Sequence, residues 1–161
     1  MGLDMYLEIR QYISRVDWQD VEAGDRPEFR SVVQTAGLTD MVQPGGYQGA
    51  TVEVPVYYWR KANAIHQFFV DRCAEGEDNC QPMYVSTTVL EELVKKCDEV
   101  LKNPDDAPDI LPTQSGFFFG GTEYDEYYFD QARATRDDIR EMLDKIAVST
   151  GDFDLLYQAS W

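Results

Sequence analysis

Apolar and polar positions along this chain change their period from segment to segment, and each period predicts an element. Residues 3–13, LDMYLEIRQYI, alternate in part and are rich in Tyr, Leu and Ile, which predicts a first strand. Residues 17–50 are polar and broken by Gly and Pro, with a Gly45-Gly46 pair, and predict a long irregular excursion. From Gly49 to Tyr58 the β-branched Thr51, Val52, Val54 and Val56 predict a second strand. Pro55 cannot donate to a sheet, so that strand is expected at an edge or bulged.

The period then turns helical. Ile65, Phe69 and Cys73 recur at i, i+4 and i+8, which predicts a helix over Trp59–Cys73, ended by the acidic turn at 75–79. Leu90, Leu93, Val94, Cys97, Val100 and Leu101 form the inward stripe of a second helix. It is expected to start at Ser86 or at Thr88, where Thr88 and Glu91 can form a capping box, and to stop at Asn103-Pro104. Glu91/Lys95 and Glu92/Lys96 would pair on its wet face. Residues 103–110 read as an acidic connection. Residues 111–131, LPTQSGFFFGGTEYDEYYFDQ, read as a buried strand, a tight turn and the start of a third helix. That helix would run over 122–147 from a Thr122 cap, with an interruption near Ala134–Thr135. Its stripe is Tyr128, Ala132, Thr135, Ile139, Met142 and Ile146, and residues 153–161 predict a last strand. The expected fold is α+β, a small, mostly antiparallel sheet of three to four strands packed with three helices, in a single domain over 1–161.

Composition adds a strong charge bias. Thirty acids against fourteen bases give −16 over 161 residues, and residues 103–161 alone carry 13 acids and 4 bases. Such a chain repels phosphate backbones and anionic lipids, so no direct nucleic-acid partner and no membrane partner are expected; a basic protein surface would attract it. No apolar run approaches the roughly 20 residues of a membrane span. The first residues also lack the basic and apolar regions of a signal peptide. Three cysteines at 73, 80 and 97 fit reduced thiols in a cytoplasm.

Candidate chemistry is sparse. SGFFFGGTE resembles a phosphate-cradling turn but lacks a lysine, and Glu123, Asp125 and Glu126 crowd it. One histidine and no CxxC or HExxH spacing argue against a metal site, and no cofactor is expected. On the expected helix, Trp59, Asn63 and His66 share a face. With Arg60, or with Lys61 for an anion, and with Tyr157 and Trp161, they could line a small-ligand pocket, such as one for a nucleotide-like molecule. Glu123, Tyr124, Asp125, Tyr127, Asp130, Asp137, Glu141 and Asp144 form an acidic, aromatic surface fit for a partner.

MGLDMYL, YYWRKANAIHQFFV, LPTQSGFFFGGTEYDEYYF and YQASW together resemble a family of small bacteriophage and prophage proteins, and these blocks bracket nearly the whole chain apart from 17–50. The resemblance implies a viral origin, action in the bacterial host cytoplasm and an accessory role. It carries no activity over. The first functional expectation is an accessory protein that binds and inhibits a host antiviral defence complex at a basic site. The second, from a different class, is the small-ligand protein or hydrolase. The third is a homo-oligomer closed by exposed aromatics.

Overall fold

The computed structural model describes residues 2–43 and 48–161. Met1 and the Gly45-Gly46 break lie outside the described residues. The fold is α+β. Strands β1 (Asp4–Ser14), β4 (Gly49–Arg60), β5 (Met83–Tyr84) and β6 (Asp154–Ser160) form one antiparallel sheet in the order β4-β1-β6-β5. Helices α2 (Asn63–Cys73), α3 (Thr87–Lys102) and α5 (Glu126–Val148) supply the helical side of the core.

Period-two alternation in β1 decides which face is covered. Leu3, Met5 and Leu7 are fully buried, and Met5 and Leu7 meet Trp59, Ala159 and Tyr157 across the two neighbouring strands. Phe69 of α2 stacks on Tyr157 at 4.2 Å between ring centroids, and Trp59 packs edge-on against Phe69 at 5.8 Å. The stripe expected on α3 is the buried one: Leu90, Leu93, Val94, Cys97 and Val100 all face inward. On α5 Tyr128, Ala132, Thr135 and Ile139 are buried, while Met142 and Ile146 are half-buried at the core edge. Two hydrogen bonds tie the edge strand to this helix: Trp59 Nε1–H donates to Thr135 Oγ1 at 2.8 Å, and the Tyr57 hydroxyl to Asp138 at 2.8 Å.

Pro55 stands where its missing N–H predicts. β4 is an edge strand, and its register with β1 slips between Leu7 and Glu8, opposite Tyr57 and Pro55.

Several sequence expectations are corrected. Residues 17–50 hold regular structure: β2 (Val16–Asp17) and β3 (Asp20–Asp25) form a hairpin, followed by α1 (Pro27–Thr35) and a 3-10 turn at Thr39–Met41. Pro27 at the first helical turn with Glu28 beside it was the readable start signal. The connection at 103–110 coils into a 3-10 turn (Pro104–Asp106) and the short helix α4 (Ala107–Ile110). With α1 this makes five α-helices among the described residues, against three expected.

Helix caps also differ. Of the two starts expected for α3, Ser86 is the cap, accepting from the Val89 N–H at 3.3 Å, and the Thr88/Glu91 box does not form. The expected wet-face pairs give way to Lys95–Glu99, Arg72–Glu92 and a Lys96 bond to the Ile110 carbonyl. Asp125, not Thr122, caps α5 through the Tyr128 N–H at 3.1 Å, and the helix runs unbroken through Ala134–Thr135.

Candidate functional site

The strand–helix boundary at Arg60–Asn63 organises the site. The expected helix from Trp59 begins four residues later, because Trp59 and Arg60 are held in β4 against Met5 and Asp4. At Lys61 the chain turns through φ +54, unusual for a residue with a side chain, and the Lys61 N–H donates to the Leu3 carbonyl at 2.8 Å. Trp59, Asn63 and His66 therefore do not share a helical face. Trp59 is 2% exposed and belongs to the core.

Asn63, 4% exposed, holds the aromatic loop in place. Its Nδ2 donates to the carbonyls of Gly121 at 2.7 Å and Phe119 at 3.2 Å, and its Oδ1 accepts from the Gln114 N–H at 3.1 Å. Leu3 N–H adds a bond to the Phe118 carbonyl at 3.0 Å. The three phenylalanines thus do not form the expected buried strand: their backbone polar groups are satisfied by a side chain and by the chain's start, not by a sheet neighbour. Residues 116–119 form a β-turn closed by Phe119 N–H on the Gly116 carbonyl at 3.2 Å. Phe119 folds back, buried, and meets His66 edge-on at 5.1 Å. A Cβ on Gly116 would lie 2.6 Å from that ring, so only glycine fits there. Phe118 packs on the core margin, and Phe117, at the turn's outer corner, is 95% exposed.

His66 is fully buried and shares its two nitrogens between Tyr157 (2.7 Å from Nδ1) and Asp78 (3.0 Å from Nε2). With hydrogen on Nε2, the ring donates to Asp78 and its Nδ1 accepts from the Tyr157 hydroxyl, so both contacts are satisfied. Burial pushes the Tyr157 phenol well above its ordinary pKa. This chain of three groups ties the acidic 75–79 turn to the core.

A cleft of about 250 Å³ opens beside the loop, between the start of α2 and the first turns of α5. Ala62, Ala64, Ile65, Leu111 and Ala132 supply apolar lining; Lys61, Glu123, Asp125 and Gln131 supply polar groups. Of the residues expected to form a ligand pocket, Asn63 and Lys61 line this cleft. Trp59, His66 and Tyr157 lie inside the core, and Trp161 is partly exposed at the chain's end, 6.2 Å from the Phe119 ring. The lysine missing from the Gly-rich segment in sequence is supplied in space: a Cβ on Gly120 would lie 3.2 Å from Lys61 Cβ. Gly120 sits at φ +91, a region side chains avoid. Gly120→Ala is expected to lower stability by roughly 1–2 kcal/mol, read as a shifted urea midpoint at unchanged slope.

The eight residues expected to meet a partner divide in two. Glu123 is exposed without an ion pair, Tyr124 bonds Thr113, Asp125 caps α5, and half-exposed Tyr127 donates to the Arg60 carbonyl at 2.5 Å. Further along α5, Asp130, Asp137 and Glu141 pair with Arg133, Arg136 and Lys145, while Asp144 stays exposed. Hydrogen bonds from Arg136 and Lys145 hold Asp137 and Glu141 below the ordinary carboxylate range. Among the described residues, Glu123 and Glu126 at the start of α5 and Asp144 near its end form no ion pair.

Buried acids set an alkaline limit. Burial pushes the Cys97 thiol from 9.0 up to about 12, and burial also raises the phenols of Tyr57, Tyr128 and Tyr157. Below pH 9 these groups are protonated in both states. Above it the unfolded chain releases their protons first, so unfolding gains free energy as pH rises toward 12. Guanidinium titrations at pH 8 and pH 10.5 are expected to show lower stability at the higher pH, falling by up to about 1.4 kcal/mol per pH unit for each such group.

No family model, no curated protein and no solved structure matches the chain. Among the described residues no helix is long and apolar enough to cross a membrane.

Proposed function

We propose that this chain acts by docking on a basic protein, with Phe117 as the anchor and the acidic start of α5 as its rim. The observation that carries the reading is the Phe117 side chain, 95% exposed on a turn fixed by Asn63 and Leu3. Leaving a phenylalanine in water forgoes about 2 kcal/mol of burial, which a partner with an apolar socket recovers. Because the turn is already ordered, docking adds little entropy loss. Glu123, Glu126 and Tyr127 border the same loop and favour a basic surround in the partner. The phage resemblance gives the setting: an accessory protein in an infected bacterium, occupying a basic site on a host defence complex where nucleic acid would otherwise bind.

A tagged pull-down from nuclease-treated bacterial lysate tests this. A stoichiometric partner should elute as salt rises, because screening weakens charge contacts. Its capture should fail with Glu123→Lys/Glu126→Lys. A partner retained equally by the charge-reversed variant would overturn the reading.

A further inference from the structure

The cleft beside the loop carries a second assignment, which shares Glu123 and Tyr127 with the docking edge. We propose that it binds a small zwitterion, an α-amino acid with an apolar side chain.

Size comes first. About 250 Å³ lies below the roughly 300–1,000 Å³ of pockets that take drug-sized ligands, so the occupant is small. The floor is apolar, built from Ala64, Ile65, Leu111 and Ala132, and suits a hydrocarbon or aromatic side chain. Two opposite charges stand at the cleft, Lys61 and Glu123, yet they form no ion pair with each other or with any other described residue. This is notable for Lys61 in a chain with thirty acids and fourteen bases. Both charges line the same opening, so a ligand bearing both signs can meet each of them. The Gln131 amide, half-buried and without a hydrogen-bond partner among the described residues, offers a further hydrogen bond.

Lys61 is held for this role at a cost. Its backbone sits at φ +54, roughly 1–2 kcal/mol above a relaxed conformation for a residue with a side chain. Its stem lies where a Cβ on Gly2 or on Gly120 would come within 3.2 Å. Both neighbours being glycines lets the stem pass. The uncapped first turn of α2 adds positive potential on the same side as Lys61 and favours a carboxylate there. Glu123 then meets the ammonium. A nucleotide is disfavoured, since a polyphosphate would face one lysine and two carboxylates, Glu123 and Asp125.

The test is calorimetric and NMR titration of the full chain with L-phenylalanine and L-leucine. Phenethylamine, 3-phenylpropionate and AMP serve as comparison ligands. The assignment expects binding of at least one amino acid, with amide shifts confined to residues 61–65 and 111–132. Each singly charged analogue should bind at least about tenfold more weakly, the loss of one charged contact. Lys61→Gly, which relaxes the backbone and should fold at least as well, and Glu123→Gln, on the surface, should each lose about as much. No heat or shift from either amino acid at about 10 mM, beyond the millimolar range of the weakest specific sites, would overturn the assignment. So would analogues or AMP binding as tightly as the amino acids, or unchanged affinity in both variants. Lys61→Gly leaves the Phe117 turn in place, so its failure to bind ligand is separable from any loss of docking.

Discussion

Asn63→Ala should destabilise the protein by about 3 kcal/mol, more than any other single hydrogen-bonding change made at this site. The side chain makes three hydrogen bonds, to the carbonyls of Phe119 and Gly121 and from the N–H of Gln114. Each buried bond contributes roughly 1 kcal/mol, and stranding its partner without water costs about as much again. Water can reach the exposed end of the loop and recover part of that loss, which sets the figure near the middle of the range. The charge variant is more telling. Asn63→Asp keeps the acceptor for Gln114 but turns two donor contacts into carboxylate facing carbonyl oxygens. At pH 7 it should be less stable than Asn63→Ala. As pH falls and the carboxyl gains its proton, it should recover, since the protonated acid again has a hydrogen to donate. Denaturant midpoints at pH 7 and pH 4.5 check both statements. A loss below about 1 kcal/mol for Asn63→Ala would mean the loop is held by other contacts.

The same residue explains where the sequence was legible and where it was not. The core stripe of α3, the inward face of α5 and the terminal strands follow from local periodicity, because each buries one face against the same core. The edge position of β4 was readable from Pro55 alone. The start of α2 was not, since the 3.6-residue spacing of Trp59, Asn63 and His66 fits a helix as well as the true strand-to-helix boundary. Pairing of Trp59 with Met5 over a long sequence separation decides it. The FFF segment misled for a related reason. Aromatic runs favour strands, but this segment pairs with no strand among the described residues, and Asn63 supplies the hydrogen bonds that a sheet would have given. A single turn thereby divides three like residues: Phe119 to the core, Phe118 to its margin, Phe117 to the solvent.

Sequence spacing puts Asp130, Asp137, Glu141 and Asp144 along one outer face of α5 bordered by arginines, and Arg133, Arg136 and Lys145 do pair with the first three. Such exposed pairs add little stability, yet they neutralise the field that a partner would feel. What remains unpaired is Glu123 and Glu126 at the start of the helix and Asp144 near its end. Phe117 and Lys61 had no periodic signal at all, because their importance comes from exposure at a turn and from a backbone conformation, both of which depend on distant segments.

Phe117→Ala should leave folding untouched and remove partner capture. The side chain is 95% exposed and its one ring contact among the described residues is Phe118, at 4.8 Å, so truncation opens no cavity, and the thermal midpoint should stay within about 1 °C, the shift expected for a few tenths of a kcal/mol. Aromatic anchors seated in a partner's socket commonly carry 2–4 kcal/mol of a protein interface, which corresponds to roughly a 30- to 1,000-fold loss of affinity. The two readouts are therefore expected to separate completely, which a merely structural role for Phe117 would not produce. Phe117→Tyr adds a polar end to the ring and should fall between, since the hydroxyl must be desolvated in an apolar socket. Asn63→Ala supplies the converse: it keeps Phe117 but loosens the turn that presents it, so capture should weaken through lost preorganisation even where the protein stays folded. Capture that survives Phe117→Ala at full strength would place the docking surface elsewhere on the chain. Capture lost in both variants, with only Asn63→Ala lowering the thermal midpoint, fits a single rigid anchor held from below by α2.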